Sequence, residues 1–476
     1  MNNDVLTNET SLPLKGAGES NSLPLKGVGG SLKHALAMMR EEKLFSAIHI
    51  AGTAMAIAFT MVMAVVYYIK LASIYPEVNR PRTVYFEGIR IEAENHGMGM
   101  TSFSGKAFED WFQKSPNIEY CSPTLLAAGT GKLLGRSRAC AVRGKDDFLE
   151  VIPNEVSADY FKIYEYDFLE GRPFTSKEVE GHEQVCVISD AFAERYFGKG
   201  KKAVGRMVEI ENRGDVRVVG MVRSASQLTP DSYADIITPY SLISFSADAE
   251  YQGMYSIVAT VRDNEQLQAL KQELDELAAR LQQSHPEKLP HFGFGEGVKS
   301  KMVLTRNLET HPMHVLQTEN RAGVFGELSV WELVRHYAGI LFVLLFVPAL
   351  NLCGIVAGRM ERRTAEMAVR KTFGACRTTL LGQVISENLV LTSIGGIIGL
   401  VAAWLSIYGF RVELLGMFFD SSAVGASPIV TGEMLFAPLL FVGAFAAILI
   451  INLLSALLPA WLSLRKPIVE SMMEKR

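Results

Sequence analysis

RMERRTAEMAVRKTFGACRTTLLGQ, residues 359–383, is a basic stretch set between two long apolar runs. Arg359, Arg362, Arg363, Arg370, Lys371 and Arg377 lie within it. Basic residues collect on the cytoplasmic side of a bilayer, so the stretch reads as an inner connection between two membrane helices. Ala365, Glu366, Met367, Ala368 and Arg370 are mostly good helix formers, and Gly374 can supply a left-handed stop. A short cytoplasmic helix over 359–374 is predicted. On it Met367, Arg370, Lys371 and Gly374 fall on neighbouring turns, so one side shows apolar and basic groups together.

Outward from this stretch, four segments reach the roughly 20 apolar residues that a hydrocarbon core about 30 Å thick demands: 48–69, 337–357, 380–407 and 434–464. Lipid offers the backbone no partners, so each is predicted to be a helix, with Pro348, Pro438 and Pro459 as kinks. Composition agrees. A chain of 476 residues that is 49% hydrophobic is too apolar for an ordinary soluble enzyme, and at 21% charged it is too polar to be membrane throughout. The net charge of -4 gives no overall electrostatic footprint for nucleic acid.

Flanking charges set the orientation. Lys33, Arg40 and Lys43 precede the first span, and Arg465, Lys466, Lys475 and Arg476 follow the fourth. The connection 409–433 carries Arg411 against Glu413, Asp420 and Glu433. The positive-inside rule puts both termini and 358–379 in the cytoplasm, and 70–333 and 409–433 outside. The predicted fold is a membrane protein of four transmembrane α-helices with an α+β extracytoplasmic domain inserted between helix 1 and helix 2. The first apolar run is longer than a signal-peptide core and no small-residue cleavage site follows it, so it is read as a retained helix. Residues 1–31, with SLPLKG at Ser11 and again at Ser22, read as a flexible cytoplasmic tail, and 32–47 as an amphipathic helix along the inner surface.

Between 70 and 333 the pattern is that of a soluble domain. RTVYFEGIRIE, QVCVIS, VRVVGMV and YSIVATV are β-branched runs of strand length. Leu267, Leu270, Leu274, Leu277 and Leu281 recur at helical spacing, as expected of a helix packed on its own sheet. Cys121, Cys140 and Cys186 fall here, an odd number that permits one internal disulfide or buried free thiols.

No constellation for catalysis emerges. GTGK at 129–132 lacks the Ser/Thr and leading Gly of a phosphate-binding loop. His311 and His314 are spaced i, i+3 in what reads as a polar loop, a weak metal pattern. Asp146 with Asp147 and Glu361 with Glu366 are ordinary exposed carboxylates. The chain is predicted to be no enzyme, with no catalytic, cofactor or metal residue of its own.

Small residues recur every four positions in two spans: Gly52, Ala56, Thr60 and Ala64, then Gly395, Gly399 and Ala403. Such stripes let helix backbones approach closely in lipid, either within one chain or between two. Asn351, Glu387 and Asn452 are polar at membrane depth, and Glu387 is readable as a path residue or as a partner for a neighbouring helix.

The opening stretch, continued through SENLVLTSIGGIIGLVAAW, resembles the signature of MacB/FtsX-type ABC transporter permeases, at Glu361, Arg362, Arg363, Glu366, Arg370, Lys371, Gly374 and Ala375. VSADYFKIYEYDFLEGRPFT, VISDAFAERYFG, AVGRMVEIENRGDVRVVGMV and LLPAWLSLRKPIVESM are each similar to further pieces of that family, in order. The resemblance implies a MacB-like periplasmic domain over 70–333, an FtsX-like permease domain over 337–476, and residence in a bacterial inner membrane. It further implies a separate cytoplasmic ATPase that binds the ATP and magnesium, a second permease subunit, and mechanotransmission driving export. A periplasmic adaptor and outer-membrane channel are possible further partners. On this reading 358–379 is the coupling segment, where Glu366, Met367, Val369, Arg370, Lys371 and Gly374 meet the ATPase. The alternative is an FtsX-like transmembrane regulator of a cell-wall hydrolase or another non-transport signalling membrane protein.

Overall fold

The computed structural model describes residues 43–94, 97–125, 140–143, 148–210, 213–243, 250–285, 299–304, 308–319, 329–374, 376–418, 429–435 and 438–465. The tail 1–31, most of the segment 32–47 and the GTGK stretch lie outside them. Six helices carry the argument: α1 (Lys43–Leu71), α2 (Asn264–Ser284), α3 (His311–Glu319), α4 (Val330–Thr372), α5 (Arg377–Gly409) and α6 (Pro438–Arg465).

Two compact units are present: Met1–Gly52 with Leu352–Gly395 and Asn452–Arg476, and Thr53–Asn351 with Gly396–Ile451. In the first, Val356 and Met360 of α4 are buried with Leu380 and Val384 of α5 and with Ala456 and Ala460 of α6. The second holds the parts of α1, α4, α5 and α6 that fall within Thr53–Asn351 and Gly396–Ile451, and all the sheets. There Ile57 and Met61 of α1 pack with Ala403 of α5 and Ile448 of α6.

Among the described residues, three helical stretches are long and apolar enough to cross a membrane: Ser46–Leu71, Arg377–Gly409 and Phe441–Leu462. The apolar segment 337–357 lies inside α4. That helix corrects one expectation. The predicted short helix over 359–374 is not separate; α4 runs unbroken for 43 residues, from Val330 to Thr372. Residues 359–372 contain no proline and mostly favourable helix formers, so propagation continues where a new nucleation would be unfavourable. A second correction concerns Pro438. It does not kink a span but opens α6, where its missing N–H falls among the unbonded donors of the first turn.

The sheets follow the β-branched runs. Thr83–Phe86 pairs antiparallel with Ser256–Thr260 and with Leu308–Thr310, and Tyr120–Thr124 flanks Ser256–Thr260. A larger mixed sheet is centred on Gly214–Val222, parallel to Val185–Ser189 and antiparallel to Met207–Ile210. The parallel pair is joined through the helix Asp190–Phe197, the crossover that parallel strands require. Ile89–Ala93 pairs with Met98–Phe103 and Ser300–Val303 in a third sheet. Leu267, Leu270, Leu274 and Leu281 of α2 are buried against Phe86, Phe103, Phe108 and Phe112, so the leucine stripe packs on its own domain. The Asp263 carboxylate caps α2 by accepting from the Gln266 N–H.

Cys121 and Cys186 are buried free thiols. Burial pushes Cys121 up to about 12 and Cys186 further, so neither is a nucleophile at neutral pH.

Candidate functional site

Two places gather charge where it must do something: the joint at the end of α1 and the tip of the α4–α5 hairpin.

The joint is built on a helix terminus. The last carbonyls of any helix lack intrahelical donors, and the helix end carries partial negative charge. At α1 they are met by Arg80, on the turn that follows, which donates from Nη1 to the Ile69 carbonyl at 2.7 Å and also to that of Ala72. Its Nε donates to Glu77 at 2.8 Å, and Ser232 donates to the other Glu77 oxygen at 2.7 Å. Arg80 is only 3% exposed, so this charge is held entirely by protein groups.

Helix α3 completes the grip. His311 Nε2 lies 2.8 Å from the Lys70 carbonyl, and a carbonyl can only accept, so Nε2 carries the proton. Nδ1 then accepts from the Tyr85 hydroxyl at 3.1 Å. Burial, then Arg80, depresses His311 to about 3, so the ring is neutral. One turn on, His314 stacks on Tyr85 with centroids 4.1 Å apart and reaches Asp231 from Nε2 at 3.2 Å. Burial alone would raise Asp231, but His314, His311 and Arg80 hold it at about 2. Glu77 is raised by its burial despite Arg80. Burial also pushes the Tyr85 phenol far up, leaving it a neutral donor.

The expectation for His311 and His314 is thereby corrected: they sit buried on a helix, not in a polar loop. Ligand atoms of Glu77, Asp231 and His311 come within 4.8 Å of one another, close enough for a cation. Their donors and acceptors are already engaged by Arg80, Ser232, His314, Tyr85 and the Lys70 carbonyl. The geometry is that of a buried ion-pair network.

At the hairpin tip, Gly374 takes φ 90°, the left-handed conformation that closes a helix, and its N–H donates to the Lys371 carbonyl at 3.0 Å. Arg370 donates to Gln383 of α5 at 2.9 Å, and Gln383 donates to Glu387 at 3.0 Å. Arg370 thus spans the hairpin, and Gln383 links it to Glu387. Burial, then Arg377, lowers the half-buried Lys371 ammonium. Val369 is 42% exposed, while the side chains of Glu366 and Met367 lie outside the described residues.

Comparison with known proteins gives two domain matches. The MacB-like periplasmic core domain matches residues 46–277, and the FtsX-like permease C-terminal domain matches residues 338–468. The chain belongs to the MacB/FtsX family of ABC transporter permeases.

This permease is 25% identical over 287 residues to the uncharacterized ABC transporter permease YvrN of Bacillus subtilis, covering 59% of the chain and 63% of that relative. It is 25% identical over 307 residues to the pyoverdine export ATP-binding/permease protein PvdT of Pseudomonas aeruginosa, and 23% over 316 to the macrolide export ATP-binding/permease protein MacB of Salmonella paratyphi A. Those alignments take in 64% and 66% of the permease but only 39% and 42% of the relatives' lengths. Among solved structures it is similar to the periplasmic region of MacB from Actinobacillus actinomycetemcomitans, with TM-score 0.34 and 15% identity over 51% of this chain and 94% of that one.

In this permease the small-residue stripe of α5 is in part occupied by its own α1. A Cβ added at Gly399 would stand 2.6 Å from the Ala54 carbonyl oxygen and 3.0 Å from the Ile57 Cβ. Ala403 is buried beside Ile57 and Met61. Gly396, outside the four-residue stripe, also makes a close approach, since its Cβ would meet the Phe445 ring at 2.4 Å. In α1, Thr60 is buried and shares its hydroxyl proton between the Ala56 and Leu344 carbonyls, while Gly52, Ala56 and Ala64 are half-buried.

Sequence reading passed over two features of this permease. One is Phe373, 87% exposed one residue before the closing glycine. An aromatic ring ending a charged helix was the available signal. The other is the set Glu77, Arg80, Glu87 and Asp231, which no spacing rule connects.

Proposed function

We infer that this permease is the membrane subunit of an ABC exporter, crossing the inner membrane four times with both termini in the cytoplasm. The outer domain lies between the first and second crossings. It works as two permease subunits with a separate cytoplasmic ATPase, which binds the ATP and magnesium. Four helices per chain are too few to enclose a route, so a second copy or a sister permease completes it. ATP-driven closure of the ATPases moves the helices, and the outer domain converts that motion into export of material from the periplasmic side, with an adaptor and outer-membrane channel as downstream partners.

The observation that carries this reading is the hairpin tip, where α4 continues beyond the apolar segment and ends in exposed Val369 and Phe373 beside Arg370 and Lys371. Apolar and basic groups on one exposed helix end suit a groove of an acidic-rimmed partner. Glu366, Met367 and Gly374 complete the contact. Replacing Arg370 by Glu is expected to reduce both copurified ATPase and its stimulation, with membrane insertion intact. Equal recovery and equal turnover for Arg370→Glu and parent would remove the coupling role, and recovery of no ATPase with the parent would remove the exporter reading.

A further inference from the structure

Among the described residues Ser300–Val303 is an edge strand of the third sheet, with Ile89–Ala93 as its neighbour. The Lys299 carbonyl accepts from the Glu94 N–H at 3.0 Å, so residues 299, 301 and 303 turn their backbone groups toward the neighbouring strand. Those of Ser300 and Met302 face outward. A single side chain meets them. Gln282, in the last turns of α2, accepts from the Met302 N–H at 3.1 Å and donates from Nε2 to the Ser300 carbonyl. Its carboxamide carries the same donor and acceptor as a peptide group. It takes the two backbone groups that flank Lys301, the pair that one residue of a parallel strand would engage. The edge is bonded as if by a strand one residue long.

Beside this edge lies a groove of about 740 Å³, within the range of about 300–1,000 Å³ usual for ligand sites. The strand forms one wall and α2 the other. On α2, Asp275, Ala278, Ala279 and Gln282 fall at i, i+3, i+4 and i+7, on one face of the helix. The two alanines leave space that longer side chains would fill. A slot between a helix and a sheet edge suits an extended peptide that joins the sheet as a further strand. Its lining charges are of both signs, Lys299 and Lys301 with Glu92, Glu94 and Asp275, and Glu92 pairs with Arg90 at 2.9 Å. Such a lining favours no single charge on a ligand, so the edge's alternating donors and acceptors select the occupant.

We propose that this groove binds an uncharged, extended segment of a partner polypeptide, which pairs with Ser300–Val303 after displacing the Gln282 carboxamide. The donor and acceptor that Gln282 releases pass to the incoming backbone, so neither is left unsatisfied. Small side chains on the inner face of the added strand lie against Ala278 and Ala279. With no segment bound, Gln282 satisfies the edge and withholds it from unwanted pairing, the hazard that every open strand edge carries. This binding goes beyond the exporter reading and does not rest on it.

The test uses the purified full chain in lipid nanodiscs and a fluorescein-labelled peptide of alternating serine and valine. A twin peptide with every amide N-methylated keeps the side chains and lacks the donors. Fluorescence anisotropy should show the first peptide binding the parent, and binding Gln282→Ala severalfold more tightly. Ala279→Phe should bind it roughly tenfold more weakly, because the ring fills the slot. The twin should bind none of the three. Absence of binding to both parent and Gln282→Ala, the result if Gln282 only seals the edge, overturns the proposal, and so does equal binding of the twin. Should Gln282→Ala fail to fold, parent and Ala279→Phe decide, since Ala279 is exposed and its replacement leaves the core intact. No binding to the parent, or undiminished binding to Ala279→Phe, then overturns the groove, and weakened binding supports it. ATPase copurification from the same preparations tests the exporter reading separately, so either can fail alone.

Discussion

Arg80 and Arg370 both stand at the end of a long helix, yet they live in opposite surroundings. Arg80 is enclosed, and each of its contacts is to a group fixed within the same domain: Glu77 and the carbonyls of Ile69 and Ala72. Arg370 is half-buried, reaches across to Gln383, and has exposed Val369 and Phe373 on its own helix end. A buried charge has to be matched by the fold that buries it, so the first arrangement is complete in itself. An exposed apolar and basic end leaves its apolar surface facing solvent, and that surface gains by burial only when another protein arrives. The joint is closed within the chain; the hairpin tip leaves an apolar and basic end exposed.

Breaking the joint should have the largest effect. Arg80→Ala leaves Glu77 buried without its ion pair and two helix-end carbonyls without a donor, and such losses run to about 3–5 kcal/mol. A fall of roughly 6–20 °C in unfolding midpoint is expected for the purified chain. A midpoint within a degree of the parent would show that the network does not hold α1.

Close packing of α1 and α5 comes next. At Gly399→Ala the new methyl meets a carbonyl oxygen, which cannot swing aside as a side chain would, and overpacking of this kind costs about 1–3 kcal/mol. Calorimetry or thermal unfolding in the same detergent would check it. An unchanged midpoint would mean that the two helices separate easily, weakening the contrast between a rigid interior and a receptive tip.

At the tip the stability effect should nearly vanish while the binding effect remains. Phe373→Ala removes a ring that is 87% exposed, so the unfolding midpoint should shift by no more than surface substitutions do, about 0.5 kcal/mol. Copurified ATPase should nonetheless fall severalfold, because aromatic anchors dominate interfaces. Full ATPase recovery with Phe373→Ala would move the receiving role off this residue.

The smallest perturbation is chemical labelling of the native thiols. Exposed Cys376 at the tip should react with a maleimide in the folded chain, whereas Cys121 and Cys186 should react only after unfolding. Prompt modification of Cys121 would indicate that the sheet domain opens readily.

The sequence by itself determined whatever rests on local composition and short periods. Apolar runs marked the long helices, β-branched runs marked Thr83–Phe86, Val185–Ser189, Gly214–Val222 and Ser256–Thr260, and the leucine spacing marked the buried face of α2. Gly374 was legible as a helix stop because only its own backbone angle is at issue. Tertiary structure alone decided the joint. Glu77, Asp231 and His311 are drawn from three distant parts of the chain, and neither the charge nor the burial of any one of them is fixed by its neighbours in sequence. A histidine pair at i, i+3 looks the same in a loop and in a core; its partners, its tautomer and its proton are set by which carbonyl and which carboxylates the fold places against it.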